Sequence, residues 1–281
     1  MKWEIGLSTG IAYAHPIEDV LPFIGESGFR AVEVATARDH IHFDEVRALE
    51  AVKRQLCASR LRVHSLHAPF GHDLNLTSPD AEQRRCTLER LTTAAEALRI
   101  LGGGHYVIHP GGEDQRWIWE RQQRLDLSVK GLTRVWEECR RRGLTLIVET
   151  PLPHLLGGQM EDLAWIMDRL PDVGVGMCLD TSHTALGGQL FEAIERFGGR
   201  FLHVQASDNH GHTDDHLVPG DGLIDWARVI ASLERVGYDG VFMLEVAGGG
   251  NVPEHVVRAA SLLGDHGPVP AGWPAEQVPT C

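Results

Sequence analysis

Short apolar runs alternate with longer stretches of helical spacing along almost the whole chain. The first strand is predicted over residues 4–9. A helix follows over 16–25, with Ile17, Val20, Leu21 and Ile24 on one face. Further strands are predicted over 31–36, 62–67, 105–109, 145–150, 175–180, 201–207 and 241–246. Helical patterns fill the gaps, over about 43–60, 80–102, 121–142, 160–170, 190–197 and 225–236, and a last one covers about 254–263. Ser78-Pro79-Asp80 opens the third helix, and Gly102 and Gly143 stop the third and fourth.

Strands two to eight are near-continuous apolar runs, as expected of strands covered on both faces. Parallel strands need a crossover of helix length, and each gap supplies one. Eight such units in order predict an α/β fold of the (β/α)8 TIM-barrel class, in a single domain over residues 1–263. A doubly wound open sheet is the runner-up, disfavoured because no glycine-rich dinucleotide fingerprint follows the first strand. Residues 264–281 are rich in Pro and Gly and are expected to be an irregular tail.

Such a barrel carries its active site at the C-terminal ends of its strands. Those ends are polar here. Strand three ends at His67, strand four at His109 and strand five at Glu149. Strand six ends at Asp180 with His183 just beyond. Strand seven carries His203, the loop after it carries Asp214 and His216, and Glu245 lies near the end of strand eight. A lone His is more often a hydrogen-bonded structural residue, and Asp180 alone would serve as a helix cap. Glu149 and Glu245 are different, because each sits inside an apolar run where an unpaired carboxylate is costly. Six consecutive strands presenting such groups at one rim point to shared cations.

Five imidazoles and four carboxylates, without a thiolate, suit zinc first, with manganese or iron as alternatives. Nine donors exceed one ion, so two or three divalent ions with bridging carboxylates are expected. Such a mouth would be positive and able to hold a phosphate.

The formal charge of −13 disfavours nucleic acid and anionic membrane as partners. Five cysteines, Cys57, Cys86, Cys139, Cys178 and Cys281, form no CxxC pair and suggest a reducing, cytoplasmic setting. No run of about 18 apolar residues predicts a membrane span, and residues 1–10 do not resemble a signal peptide. Oligomeric state is left open.

Together the motifs HSLHAP, IHPGG, IVETP, CLDTSH, FLHVQASD, DDH before PGDG, and MLEV resemble endonuclease IV and the wider xylose-isomerase-like barrel superfamily, including its sugar phosphate isomerases and epimerases. The resemblance implies that His67, His109 and a bridging Glu149 hold one ion. It implies a second ion on Glu149, Asp180, His203 and Glu245, and a third on His183, Asp214 and His216. The chain departs from endonuclease IV at Thr150-Pro151-Leu152-Pro153, and its acidic, His-rich VQASDNHGHTDDH replaces a basic segment. In ketose epimerases of the superfamily one ion is held by the residues matching Glu149, Asp180, His203 and Glu245. Asn209 falls near the place of their substrate-binding Arg.

The leading expectation is therefore a metal-dependent phosphoester hydrolase, with metal-bound hydroxide attacking a small substrate. The alternative is a sugar or sugar phosphate isomerase or epimerase with one metal, in which Glu149 and Glu245 are the catalytic acid–base pair. A binder that has lost activity is the third. Arg38, just past strand two, is a weak candidate for contacting the substrate. His72, His210 and His212 are candidates to orient ligands, and Trp117 and Trp119 to form a lid.

Overall fold

The computed structural model describes residues 2–37, 39–113, 115–249 and 251–263. Eight strands form in chain order: β1 Ile5–Ser8, β2 Ala31–Val34, β3 Arg62–His67, β4 His105–Ile108, β5 Thr145–Glu149, β6 Val175–Asp180, β7 Phe201–Ala206 and β8 Phe242–Leu244. The helices between and after them are α1 Ile17–Glu26, α2 Val46–Ala58, α3 Ala81–Leu101, α4 Arg121–Arg141, α5 Met160–Met167, α6 Thr181–Leu186, α7 Leu190–Phe197, α8 Trp226–Arg235 and α9 Val252–Ala260. Each strand pairs in parallel with its neighbours in sequence, and β8 returns to β1, so the sheet closes. This is the (β/α)8 barrel that the alternation of patterns predicts.

The sheet divides its side chains by alternation. In β5, Leu146 and Val148 join the main core between sheet and helices. Ile147 instead packs with Val107 and Cys178 in a separate buried cluster, and Ala31, Val241 and Met243 form another. These small clusters fill the barrel interior. Space there is tight: a Cβ on Gly6 would stand 2.7 Å from Met243 Cε. Glu149 follows Ile147 by two residues, so the same alternation aims it inward, one layer nearer the mouth.

Two local differences from the expected elements matter. β8 ends at Leu244, so Glu245 lies just past the strand, although its N–H still donates to Ala206 O at 3.1 Å. Between β6 and the helix predicted over 190–197 stands a further short helix, α6, whose N-terminus is capped by Asp180 Oδ1 accepting from His183 N at 2.7 Å. The tail expected over 264–281, and Arg38, lie outside the described residues. Among the described residues, no helix is long and apolar enough to cross a membrane.

Candidate metal centre at the barrel mouth

Glu149, at the end of β5, is the hub of the mouth. His67 Nε2 lies 3.0 Å and His109 Nε2 3.2 Å from its Oε2, while His183 Nδ1 lies 3.2 Å from its Oε1. The cap geometry of α6 delivers His183 to this spot, because Asp180 fixes the first turn of the helix that carries it. Asp214 continues the cluster outward: its Oδ2 is 3.1 Å from His183 Nε2 and 2.9 Å from His216 Nε2.

Three of the imidazoles are held the same way. Nδ1 of His67 contacts Ala68 O at 2.9 Å, that of His183 contacts Thr150 O at 3.0 Å, and that of His216 contacts Glu245 O at 2.9 Å. A carbonyl oxygen only accepts, so each Nδ1 is the donor. Each Nε2 then faces a carboxylate at the mouth. Backbone carbonyls of this kind set the tautomer and orientation of a ligating His.

The loop bearing Asp214 and His216 is braced from below by Asp208, which is fully buried. Its carboxylate accepts from the N–H groups of Asn209, Gly220 and Ile224 and from Trp226 Nε1, at 2.7–3.0 Å. Gly222 packs against the same carboxylate so closely that a Cβ there would lie 2.3 Å from Oδ1. His216 itself has φ +48, a left-handed conformation that costs energy in a non-glycine residue.

The electrostatics separate the carboxylates. Burial raises the pKa of Glu149, but His109, His183 and His67 outweigh it and hold the group well below its usual range. Asp214 is likewise held low, against its burial, by His183 and His216. Glu245 goes the other way: burial, with the Glu149 and Asp180 charges nearby, pushes it to about 8. Asp180 is pushed to about 6, first by burial and then by the Asp214 and Glu149 charges. His67 and His216 are each raised to about 10, because their carboxylate neighbours override burial.

Two groups fit a divalent cation. His67, His109 and Glu149 form one, and Glu149, Asp180 and His183 the other, each with one donor atom per residue lying within 4.8 Å of the rest. Ligand bonds of about 2.0–2.2 Å accommodate such a span. Asp180 Oδ2 supports the fit, being a buried carboxylate oxygen without a hydrogen-bond partner. The donor set of imidazole and carboxylate suits zinc, manganese or iron.

One expected ligand is not brought to the mouth. The register pairs Asp180 with Gln205 and Cys178 with His203. His203 is therefore one inward layer deeper than Asp180, about 7 Å at the rise of a strand. There its Nε2 lies 2.9 Å from Glu33 Oε2. Gln205, level with Asp180, is tied down as well, donating to Glu33 Oε1 at 2.9 Å and accepting from Cys178 Sγ at 3.0 Å. The ion expected on Glu149, Asp180, His203 and Glu245 thus lacks its imidazole. A residue in mid-strand does not reach the rim where strand ends do.

Among the weaker candidates, His72, His210 and His212 are exposed; His72 Nδ1 lies 3.3 Å from Glu113. Trp119 is exposed on a 3-10 turn, Gln115–Glu120, and the side chain of Trp117 lies outside the described residues. Sequence reasoning passed over Glu33, although it interrupts the apolar run AVEV just as Glu149 interrupts LIVET. Asp208 carried no signal beyond its place after a strand.

The mouth opens into a cavity of about 400 Å³. Its floor is His67, His109, Glu149, His183, Asp214 and Glu245. It is of the size that holds a small organic molecule.

Known proteins resemble this chain in sequence and fold. At 31% identity, the chain matches an uncharacterized protein of Methanocaldococcus jannaschii across 87% of its own length and 85% of that protein's. It is 20% identical to fructoselysine 3-epimerase of Escherichia coli O157:H7, over 82% of this chain and 86% of the other. The crystal structure of a D-tagatose 3-epimerase-like protein superposes with a TM-score of 0.82 at 25% identity, covering 93% of this chain and 96% of that one. The description of the xylose isomerase-like TIM barrel matches residues 22–265. With its closed eight-stranded barrel and its polar rim, the chain belongs to the xylose isomerase-like TIM-barrel family.

Proposed function

We propose that the protein is a divalent-metal-dependent sugar epimerase or isomerase, with Glu149 and Glu245 as its acid–base pair. One observation carries this reading: the two carboxylates line the same cavity. They belong to the ends of β5 and β8, three strands apart in a closed sheet of eight, and so approach the cavity from well-separated sides. Carboxylates that reach one cavity from separated sides can serve two faces of a bound carbon as base and acid.

A divalent ion on the groups containing Glu149 would polarise a substrate carbonyl and its neighbouring hydroxyl. The remaining work falls to the chain. Glu149, ionised, takes the proton from the carbon beside the carbonyl. Glu245, protonated, returns a proton to the same carbon from the other side, which inverts it. Proton and charge have then exchanged places between the two, and the reverse reaction starts from that state. No co-reactant is needed. The chain's similarity to a fructoselysine 3-epimerase and to a D-tagatose 3-epimerase-like protein agrees with this chemistry.

Proton exchange tests it. The Mn²⁺-loaded protein would be incubated in D₂O with a panel of ketoses, and the carbon beside the carbonyl followed by NMR. Deuterium incorporation is expected for at least one sugar, and none across the panel would remove the proposal.

Phosphoester hydrolysis is the second reading. It is favoured by Asp214, which joins His183 and His216 and so offers donors beyond the first ion. Release of inorganic phosphate from small phosphoesters, without deuterium exchange, would establish it instead.

A further inference from the structure

The cavity is built in two parts. Its donors are gathered on the floor, and much of its wall is apolar, formed by Ile11, Tyr13, Phe70, Leu152, Leu155 and Val252 beside His15 and Glu113. Two of these walls are aromatic and wet. Tyr13 is 45% exposed and Phe70 51% exposed. Phe70 is set against the floor itself, with its ring centroid 5.3 Å from His109 at 30° and 5.2 Å from His67 at 66°. Among the described residues that line the cavity there is no Lys or Arg.

A bare sugar carries hydroxyls around its whole edge. The floor would satisfy some of them, while those turned to the walls would lose water without gaining a partner. An aryl substituent has the opposite requirement. It gains by leaving water and stacks on aromatic rings.

Taking the site as the sugar epimerase site proposed above, we infer that its substrate is a sugar bearing an apolar, planar substituent. The sugar lies on the floor between Glu149 and Glu245. The substituent lies against Phe70 and Tyr13, making these two residues the determinants of specificity.

Binding by calorimetry separates this inference from the reaction itself. The Mn²⁺-loaded full chain would be titrated with phenyl and methyl β-glycosides of the same series of 3-keto-hexoses, which keep a free carbonyl. For at least one hexose the phenyl glycoside is expected to bind about tenfold or more tightly than the methyl. Phe70→Ala should erase most of that preference and leave the methyl glycoside as it was, and Phe70→Tyr should keep it. Phe70 is half exposed, so its truncation leaves the core packed. Equal affinities, a preference indifferent to both Phe70→Ala and Tyr13→Ala, or no phenyl glycoside bound at about 10 mM would overturn the inference. Were the epimerase reading alone at fault, the phenyl preference would survive while deuterium exchange failed.

Discussion

His203 and Glu33 form a buried pair in the middle of the barrel, with Nε2 2.9 Å from Oε2 and neither side chain exposed. Burial raises the Glu33 pKa, but His203 and Ser65 more than reverse this and hold it at about 2. Ser65 Oγ donates at 2.7 Å and Gln205 Nε2 at 2.9 Å, so the carboxylate is fully occupied by the scaffold. Beneath it the His203 ring stacks 5.2 Å from His64, which burial lowers to about 2 and so keeps neutral.

Replacing His203 should therefore cost stability rather than metal. Leaving a buried hydrogen-bonding group without its partner costs about 1–3 kcal/mol, and more when that group is a carboxylate. His203→Gln, a milder change than His203→Ala, is expected to lower the urea midpoint and to bind Mn²⁺ in wild-type amount per folded chain. A variant that kept its midpoint but lost its metal would return His203 to the ligand set.

Glu149→Gln should have the reverse profile. Glu149 belongs to both candidate cation groups and faces three imidazoles. Elemental analysis is expected to find the metal lost, and kcat for deuterium exchange should fall by about 10²–10⁴ or more, the range for removing an acid–base group. The metal-free variant should still fold, since Gln keeps the shape of the side chain.

Metal binding should release protons. At neutral pH His67, raised to about 10, holds a proton that a cation on its group displaces. Affinity for Mn²⁺ is therefore expected to rise from pH 6 to pH 8, and titration heats should depend on the ionisation enthalpy of the buffer. The metal-free protein follows the same linkage. A pKa raised in the fold gives stability that is complete below the unfolded value and lost as pH climbs through the folded one. His67 and His216, raised from 6.5 to about 10, should make metal-free protein weaken between those values. Glu245, raised from 4.5 to about 8, acts in the same sense at lower pH. Glu149 and Asp214, both lowered, instead withdraw stability as pH falls below about 4.5 and 3.8. Melting temperatures across pH with and without Mn²⁺ would show whether the metal flattens the alkaline limb.

Asp208→Ala should loosen the far side of the mouth without touching it. The carboxylate holds four donors that shape the loop carrying Asp214 and His216. Loss of such a support is expected to lower metal affinity about 10–100-fold. Far-UV circular dichroism should be unchanged, and the effect should shrink at saturating Mn²⁺. Persistent loss of deuterium exchange at saturation would give Asp208 a role beyond positioning.

The succession of apolar runs and helical faces determined the barrel, because strands buried on both faces and joined by helices close most simply on themselves. The inward aim of Glu149 was legible too, since a carboxylate in an apolar run demands a partner, and strand ends of a barrel meet at one rim. Depth was not legible. His67 and His203 look alike in sequence, each a His in an apolar strand, but one ends its strand and the other sits in the middle of its own. Only the stagger between neighbouring strands decided that Gln205, not His203, stands level with Asp180. The placement of Asp214 and His216 was likewise tertiary, resting on a loop folded around Asp208. Pairing register and loop bracing join residues far apart in the chain, and such contacts leave no periodic trace in the sequence that makes them.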